Sequence, residues 1–285
     1  MSEKENIPQI KKYLMHKAAR EHTPISGTFE LTPLCNMNCR MCYIRMSKEE
    51  MDARGTAKSA AEWIEMGRVC TENGMLFLLL TGGEPFMRPD FKEIYTELKK
   101  LGLVISINSN GTMITEEVAD WLKQDPPSKI SITLYGGSNE TYEKLCANPC
   151  GYDQAVRGIL LLKERGINVE INASFTKFNA EDAETIFEFG KENGITVYPV
   201  SYKFPPVRSA KDGVADDEVR FTAEEAGRIR LKLEKLKLKP EEFELNIKKI
   251  KAGEITASVT EEEDCNRTPD EKMGCMAGRG SFWIT

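Results

Sequence analysis

Three cysteines, Cys35, Cys39 and Cys42, stand in the string CNMNCRMC with three and then two residues between them. A loop that short must wrap its sulfurs around one centre. Cysteine thiolates hold iron–sulfur clusters, and an ordinary cubane takes four of them. Three protein ligands leave one iron open to a small molecule, much as a catalytic zinc keeps one position free while a structural zinc is closed. The competing chemistry is a structural zinc with a remote fourth ligand. Only His16 and His22 are available as histidines, and neither has zinc-finger spacing. A second string, TGGEP from Thr81 to Pro85, is either a strand-to-helix turn punctuated by Gly and Pro or part of the same site.

The other cysteines lie at positions 70, 146, 150, 265 and 275. In a chain of 285 residues with no export signal, such thiols read as metal ligands, catalytic groups or small core residues rather than as a disulfide framework. Cys70 falls on the apolar side of an expected helix and packs as a small hydrophobe. Cys146 and Cys150 repeat the spacing of the first two cluster cysteines, but no third partner is near them, and the spacing is taken as coincidence. Residues 1–27 are charged throughout and lack the apolar stretch of a signal peptide. The longest apolar run, Met75 to Leu80, is far short of the ~20 residues that span a bilayer. A cytoplasmic protein without a membrane segment is expected. The net charge of −6 argues against nucleic acid, which demands a surplus of Lys and Arg.

The elements that must position these groups alternate. A first strand is expected over Thr28–Leu34, running directly into the cysteine cluster, then a helix over Ala60–Thr71 and a buried strand over Met75–Leu80. The pattern continues with helix Phe91–Lys100, strand Leu103–Asn108, helix Glu116–Lys123, strand Lys129–Leu134, and helices Glu140–Cys146 and Gln154–Arg165. Strand Asn168–Thr176, helix Ala180–Asn193 and strand Thr196–Tyr202 complete six strands. Gly102, Gly166 and Gly194 sit where helix C-caps belong, and Asn179 with Asp182 resembles an N-terminal capping signal. Strict alternation forces parallel pairing with right-handed crossovers, as an open sheet or a barrel. Beyond Tyr202 the chain is loop-like until Thr222 and Glu225 form a capping box ahead of an amphipathic helix, Ala223–Leu238. The expected division is an N-terminal helical segment (1–27), a core (28–203), loops and helices (204–264) and a terminal extension (265–285).

With both motifs at the ends of the first two strands, the sequence resembles the radical S-adenosylmethionine (radical SAM) superfamily over about residues 28–203. The resemblance implies an α/β fold, a partial (β/α)6 barrel with a C-terminal helical extension, whose site lies at the carboxyl ends of the strands. It also implies a [4Fe-4S] cluster on Cys35, Cys39 and Cys42. In that family the open iron chelates the amino and carboxylate groups of S-adenosyl-L-methionine, and one electron breaks a sulfonium C–S bond to give a 5′-deoxyadenosyl radical. Gly82, Gly83 and Glu84 then belong to the cofactor site, the glycines because a backbone without Cβ comes close to the methionine amino group. Met41 stands where the family often has an aromatic residue, so backbone recognition of adenine carries over and stacking does not. Asn110 of NSNG and Thr133 of TLYG resemble cofactor-contacting turns. Asn172 and Ser174, on one face of the fifth strand, add polar groups where core is expected. For the basic partner of the cofactor carboxylate, Lys144, Arg157 and Arg208 are candidates.

The ending CMAGRGSFWIT resembles the opening of a SPASM extension, a module that binds auxiliary clusters. The further cysteines are absent, so Cys265 and Cys275 read as the start of an extension cut short, and one cluster per chain is expected. SPASM-bearing relatives mostly modify peptides, which makes a peptide or protein the leading substrate class, with flavodoxin or ferredoxin as reductant and an oxygen-sensitive enzyme as the outcome. Only 34 residues precede Cys35, too few for a separate leader-binding domain. The alternatives are a tetrapyrrole or other small-molecule modifier and, from another class, a non-catalytic iron–sulfur electron carrier or sensor.

Overall fold

The computed structural model describes residues 6–201, 218–253 and 278–285. The N-terminal helix α1 spans Asn6–Glu21 and is followed by strand β1, Ser26–Glu30. Helices α2 (Lys48–Arg54) and α3 (Ala60–Glu72) lead to β2 (Phe77–Thr81), then α4 (Phe91–Lys100), β3 (Val104–Ser109), α5 (Glu116–Gln124) and β4 (Lys129–Thr133). Two helices, α6 (Asn139–Cys146) and α7 (Gly151–Glu164), precede β5 (Val169–Ser174), α8 (Ala183–Glu192) and β6 (Thr196–Val200). After α9 (Ala223–Lys237) and α10 (Pro240–Lys251), a last strand, β7, covers Ser281–Ile284.

All pairings in the sheet are parallel, in the order β6-β5-β4-β3-β2-β1-β7. The α/β fold inferred from alternation is present. Its core is one face of the strands packed on the helices: Phe29, Leu78, Leu80, Ile105, Ile107, Ile130, Ile132 and Ile171 are all buried there. Because successive strand residues point to opposite faces, the residues between them, Ser106, Asn108, Ser131 and Asn172, fall on the other side, and that face is polar. Helix starts follow capping chemistry: Ser59 and Glu62 form a reciprocal box at α3, and Thr115 and Ser138 cap α5 and α6. Gly102, Gly166 and Gly194 take φ of +80°, +73° and +63° where helices stop, conformations that a Cβ disfavours.

Four differences from the sequence reading have physical causes. The first strand begins and ends earlier than Thr28–Leu34, because beyond Glu30 the chain leaves the ladder to run beside residues 81–84. The helix expected over Ala180–Asn193 opens as a 3-10 turn, Ala180–Asp182, before α8. Asn179 makes no side-chain cap. Its amide accepts from Thr176 N and Oγ1 and donates to Tyr135 O (2.7 Å) and Ser174 O (2.9 Å), tying the ends of β4 and β5 together. Finally, Ser281–Ile284, which the sequence reading placed in a separate extension, is a seventh strand beside β1, with Trp283 Nε1 donating to the buried Glu30 carboxylate. Cys265, Cys275 and Arg208 lie outside the described residues. Among the described residues no helix is long and apolar enough to cross a membrane.

Candidate functional site

The three cysteines occupy the loop that follows β1 at the carboxyl end of the sheet. That loop is fixed from three sides. Against the turn after β2, Leu31 N donates to Thr81 O (2.8 Å), Gly83 N to Thr32 O (2.5 Å) and Glu84 N to Leu34 O (2.8 Å). A Cβ on Gly82 would lie 2.6 Å from Thr32 O, and one on Gly83 would lie 2.2 Å from Leu34 O. The glycines of TGGEP therefore let two backbones meet, whatever else they contact. Against α6, Asn38 N donates to Cys146 O and Arg40 N to Leu145 O, each at 2.9 Å. The last carbonyls of a helix have no partner within it, and here the cysteine loop supplies them. Against the turn after β3, Asn110 Nδ2 donates to Asn36 Oδ1 (2.8 Å), and Asn36 Nδ2 reaches Thr112 Oγ1 (2.8 Å).

Glu84, expected at the cofactor, ties two turns together in this structure. Its side chain is fully buried, does not line the cavity, and accepts hydrogen bonds from Asn110 N (2.8 Å), Ser109 Oγ (2.9 Å) and Phe86 N (3.2 Å). Burial pushes its carboxyl up to about 7, while those three donors pull the other way. It is a brace between the turns after β2 and β3.

The loop and strand ends enclose a cavity of about 370 Å³. Cys35, Cys39, Cys42 and Met41 line one side, Gly82 and Gly83 the second, Asn110 the third, and Thr133, Asn172 and Ser174 the fourth. The structure thus brings Cys35, Cys39, Met41, Cys42, Gly82, Gly83, Asn110, Thr133, Asn172 and Ser174 to one space. Lys144 and Arg157 are not there: Lys144 is exposed on α6 and pairs with Glu140 at 2.6 Å, and Arg157 is exposed on α7. No Lys or Arg occurs among the described residues that line the cavity. Sequence reading missed Tyr135, whose ring faces the cavity and whose hydroxyl burial holds well above its ordinary range. The signal was available, since Tyr135 follows Thr133 by two residues and so continues the same side of the chain.

The thiols suit a polynuclear centre. Burial pushes Cys35 up to about 12 and raises Cys42, while Cys39 is raised by a hydrogen bond with the Cys146 thiol and then by burial. Protein groups alone leave them neutral, so their ligand form needs a cation to displace the protons. Among the described residues no group of three His, Cys, Asp or Glu side chains converges as for a single metal ion. In a cubane each thiolate binds a different iron, which asks for spread sulfurs on one loop. Donors to the cysteine sulfurs are in place: Met37 N lies 3.4 Å and Asn110 Nδ2 3.6 Å from Cys35 Sγ, and Arg45 N lies 3.3 Å from Cys42 Sγ.

Residues 29–190 match the family model of the radical SAM superfamily. The chain belongs to the radical SAM superfamily. Radical SAM enzymes use a [4Fe-4S] cluster and S-adenosylmethionine. The chain is 29% identical over 201 residues to the AdoMet-dependent heme synthase of Methanosarcina barkeri, covering 70% of this chain and 56% of that one. It is 26% identical over 214 residues to the sporulation killing factor maturation protein SkfB of Bacillus subtilis, covering 74% and 50%. Among radical SAM structures, Streptococcus suis SuiB bound to its precursor peptide SuiA superposes with a TM-score of 0.61 at 19% identity, over 79% of this chain and 50% of that one. The chain thus spans about half the length of the relatives it matches.

Proposed function

We propose that the protein is a radical SAM enzyme that modifies a peptide or protein. The observation that carries the reading is the cavity itself, in which three thiols on one loop face a wall of neutral polar groups at the strand ends. When bound, the cluster and S-adenosylmethionine would supply a 5′-deoxyadenosyl radical that abstracts a hydrogen atom. The chain's own part is placement and exclusion of water. Cys35, Cys39 and Cys42 would hold the cluster, with Met37 N and Asn110 Nδ2 donating to Cys35 Sγ and Arg45 N to Cys42 Sγ. The backbone of Gly82 and Gly83 would accept from the methionine amino group. Thr133, Asn172 and Ser174 would present hydroxyl and amide groups to the carboxylate and ribose, and the backbone at Met41 would serve the adenine. A flavodoxin or ferredoxin would deliver the electron.

A peptide substrate is supported by the likeness to SkfB and SuiB and by the polar inner face that continues beneath the cavity. There Glu170 accepts from Lys129 (2.6 Å) and Tyr198 OH (3.4 Å), beside Ser131. Such neutral and paired groups suit amides better than the several carboxylates of a tetrapyrrole. The second reading, a tetrapyrrole substrate, is favoured by the identity with the Methanosarcina heme synthase. Incubation of the reconstituted protein with S-adenosylmethionine, dithionite and a perdeuterated peptide pool distinguishes them. Deuterium in the recovered 5′-deoxyadenosine is the expected result. Stimulation only by a propionate-bearing porphyrin would move the assignment to the second reading, and a cluster that cycles without cleaving S-adenosylmethionine would reduce the protein to an electron carrier.

A further inference from the structure

Tyr135 brings to the cavity a hydroxyl that the fold does not use. Its main chain is clamped just beyond β4: Tyr135 N donates to Tyr142 OH (3.1 Å), and Tyr135 O accepts from Asn179 Nδ2 (2.7 Å). Tyr142 and Asn179 are themselves buried, and the Tyr142 ring meets the Tyr135 ring in a T-shaped contact with centroids 6.2 Å apart. Asn179 also donates to Ser174 O (2.9 Å), which fixes Tyr135 beside the end of β5. The ring lines the cavity together with Thr133 and Ser174. Its hydroxyl makes no hydrogen bond with any described residue. A tyrosine hydroxyl held inside a protein usually has a partner, so one left over at a reaction cavity points to a use there.

We propose that Tyr135 is a hydrogen-atom donor that quenches the 5′-deoxyadenosyl radical when no substrate fills the cavity. The inference rests on the radical SAM enzyme reading of the site, in which Thr133 and Ser174 face the ribose that carries the radical carbon. The C5′ radical takes the hydrogen atom of the Tyr135 hydroxyl. The O–H bond breaks, the third C–H bond of the 5′-methyl group forms, and the products are 5′-deoxyadenosine and a neutral tyrosyl radical. One electron from the reductant and one proton from solvent then restore the phenol. The transfer runs downhill because a phenolic O–H bond is weaker than the C–H bond of a methyl group. The aliphatic hydroxyls of Thr133 and Ser174 have stronger O–H bonds and gain nothing by donating. The ligand cysteines carry no S–H once they hold iron. The other phenol in the lining, Tyr43, is exposed on the cysteine loop and serves as the control. Such a donor spares the chain from side reactions of a radical formed without its target.

The test uses the reconstituted full-length protein in heavy water, with S-adenosylmethionine and dithionite and no added substrate. Only a hydrogen that exchanges with solvent can mark 5′-deoxyadenosine with deuterium. Mass spectrometry should find mostly monodeuterated 5′-deoxyadenosine from the wild type, and freeze-quenched samples should show the electron paramagnetic resonance signal of a tyrosyl radical. Y135F should lose that signal and carry several-fold less deuterium, whereas Y43F should keep both. Because the deleted hydroxyl has no partner, Y135F should retain the wild-type Tm and S-adenosylmethionine affinity. Wild-type 5′-deoxyadenosine without deuterium, or deuterium undiminished in Y135F, would overturn the proposal and leave the enzyme reading standing. No 5′-deoxyadenosine from any of the three proteins would overturn the enzyme reading and this inference with it.

Discussion

Substituting Gly83 by Ala tests whether the cysteine loop is placed by backbone contact with the TGGEP turn. The added Cβ would lie 2.2 Å from Leu34 O, 2.6 Å from Leu34 C and 2.8 Å from Pro33 O. All three are main-chain atoms, so no side chain can swing away. An ordinary carbon-to-oxygen contact is about 3.3 Å or more, so the loop must retreat by roughly 1 Å. Overpacking of this kind costs about 1–3 kcal/mol. The hydrogen bonds from Gly83 N to Thr32 O and from Glu84 N to Leu34 O lengthen in the same movement, at about 1 kcal/mol each. The sum, roughly 3–5 kcal/mol, corresponds to a Tm lower by about 6–20 °C for a domain of this size. Differential scanning fluorimetry of the reduced, iron-free protein reads the stability, and iron content with visible absorption after reconstitution reads the loop. The expected outcome is a lower Tm together with iron retention well below that of the wild type. An unchanged Tm with full iron would refute the claim that this contact positions the ligands.

Asn110→Ala leaves the buried Thr112 without its acceptor and Asn36 without its donor, so urea denaturation should report a loss of about 2–3 kcal/mol and reconstitution a less stable cluster. Arg88 is 11% exposed and holds Asp90 through two bonds while reaching Leu31 O (2.7 Å) and Lys58 O (3.0 Å); Arg88→Ala should cost about 3 kcal/mol in the same assay. The Glu84 carboxyl, raised from 4.5 to about 7 by burial, binds its proton more tightly in the folded chain than in the unfolded one. Its contribution is therefore complete below about pH 4.5 and is lost as pH rises through about 7. Wild-type stability should fall across that interval by about 3 kcal/mol relative to E84Q, and parallel pH profiles of the two proteins would contradict the raised carboxyl.

Much of this arrangement is legible in the chain because it is local. The helix over Phe91–Lys100 falls where its apolar spacing puts it, with Phe91, Ile94, Tyr95 and Leu98 buried on one stripe. Thr133, Asn172 and Ser174 reach the cavity because period-two alternation carries over from sequence to strand. What escaped depends on partners distant in sequence. Nothing local tells four residues, Ser281–Ile284, that β1 has a free edge. A carboxylate in TGGEP gives no local sign of the donors it will meet, and Glu84 finds one in its own turn at Phe86 N and two, Ser109 Oγ and Asn110 N, at the end of β3. Cys146 follows Cys42 by more than a hundred residues, so spacing hides the docking of the α6 end on the cysteine loop through Cys146 O and Leu145 O.

The central claim is that Cys35, Cys39 and Cys42 hold a cluster whose open iron serves S-adenosylmethionine. Its most direct test is anaerobic reconstitution with iron and sulfide, addition of S-adenosylmethionine and dithionite, and chromatographic measurement of 5′-deoxyadenosine, with Cys42→Ala alongside. The account predicts 5′-deoxyadenosine from the wild-type protein and none from the variant, which should also lose the visible absorption of the cluster. Equal yields from both proteins would contradict it.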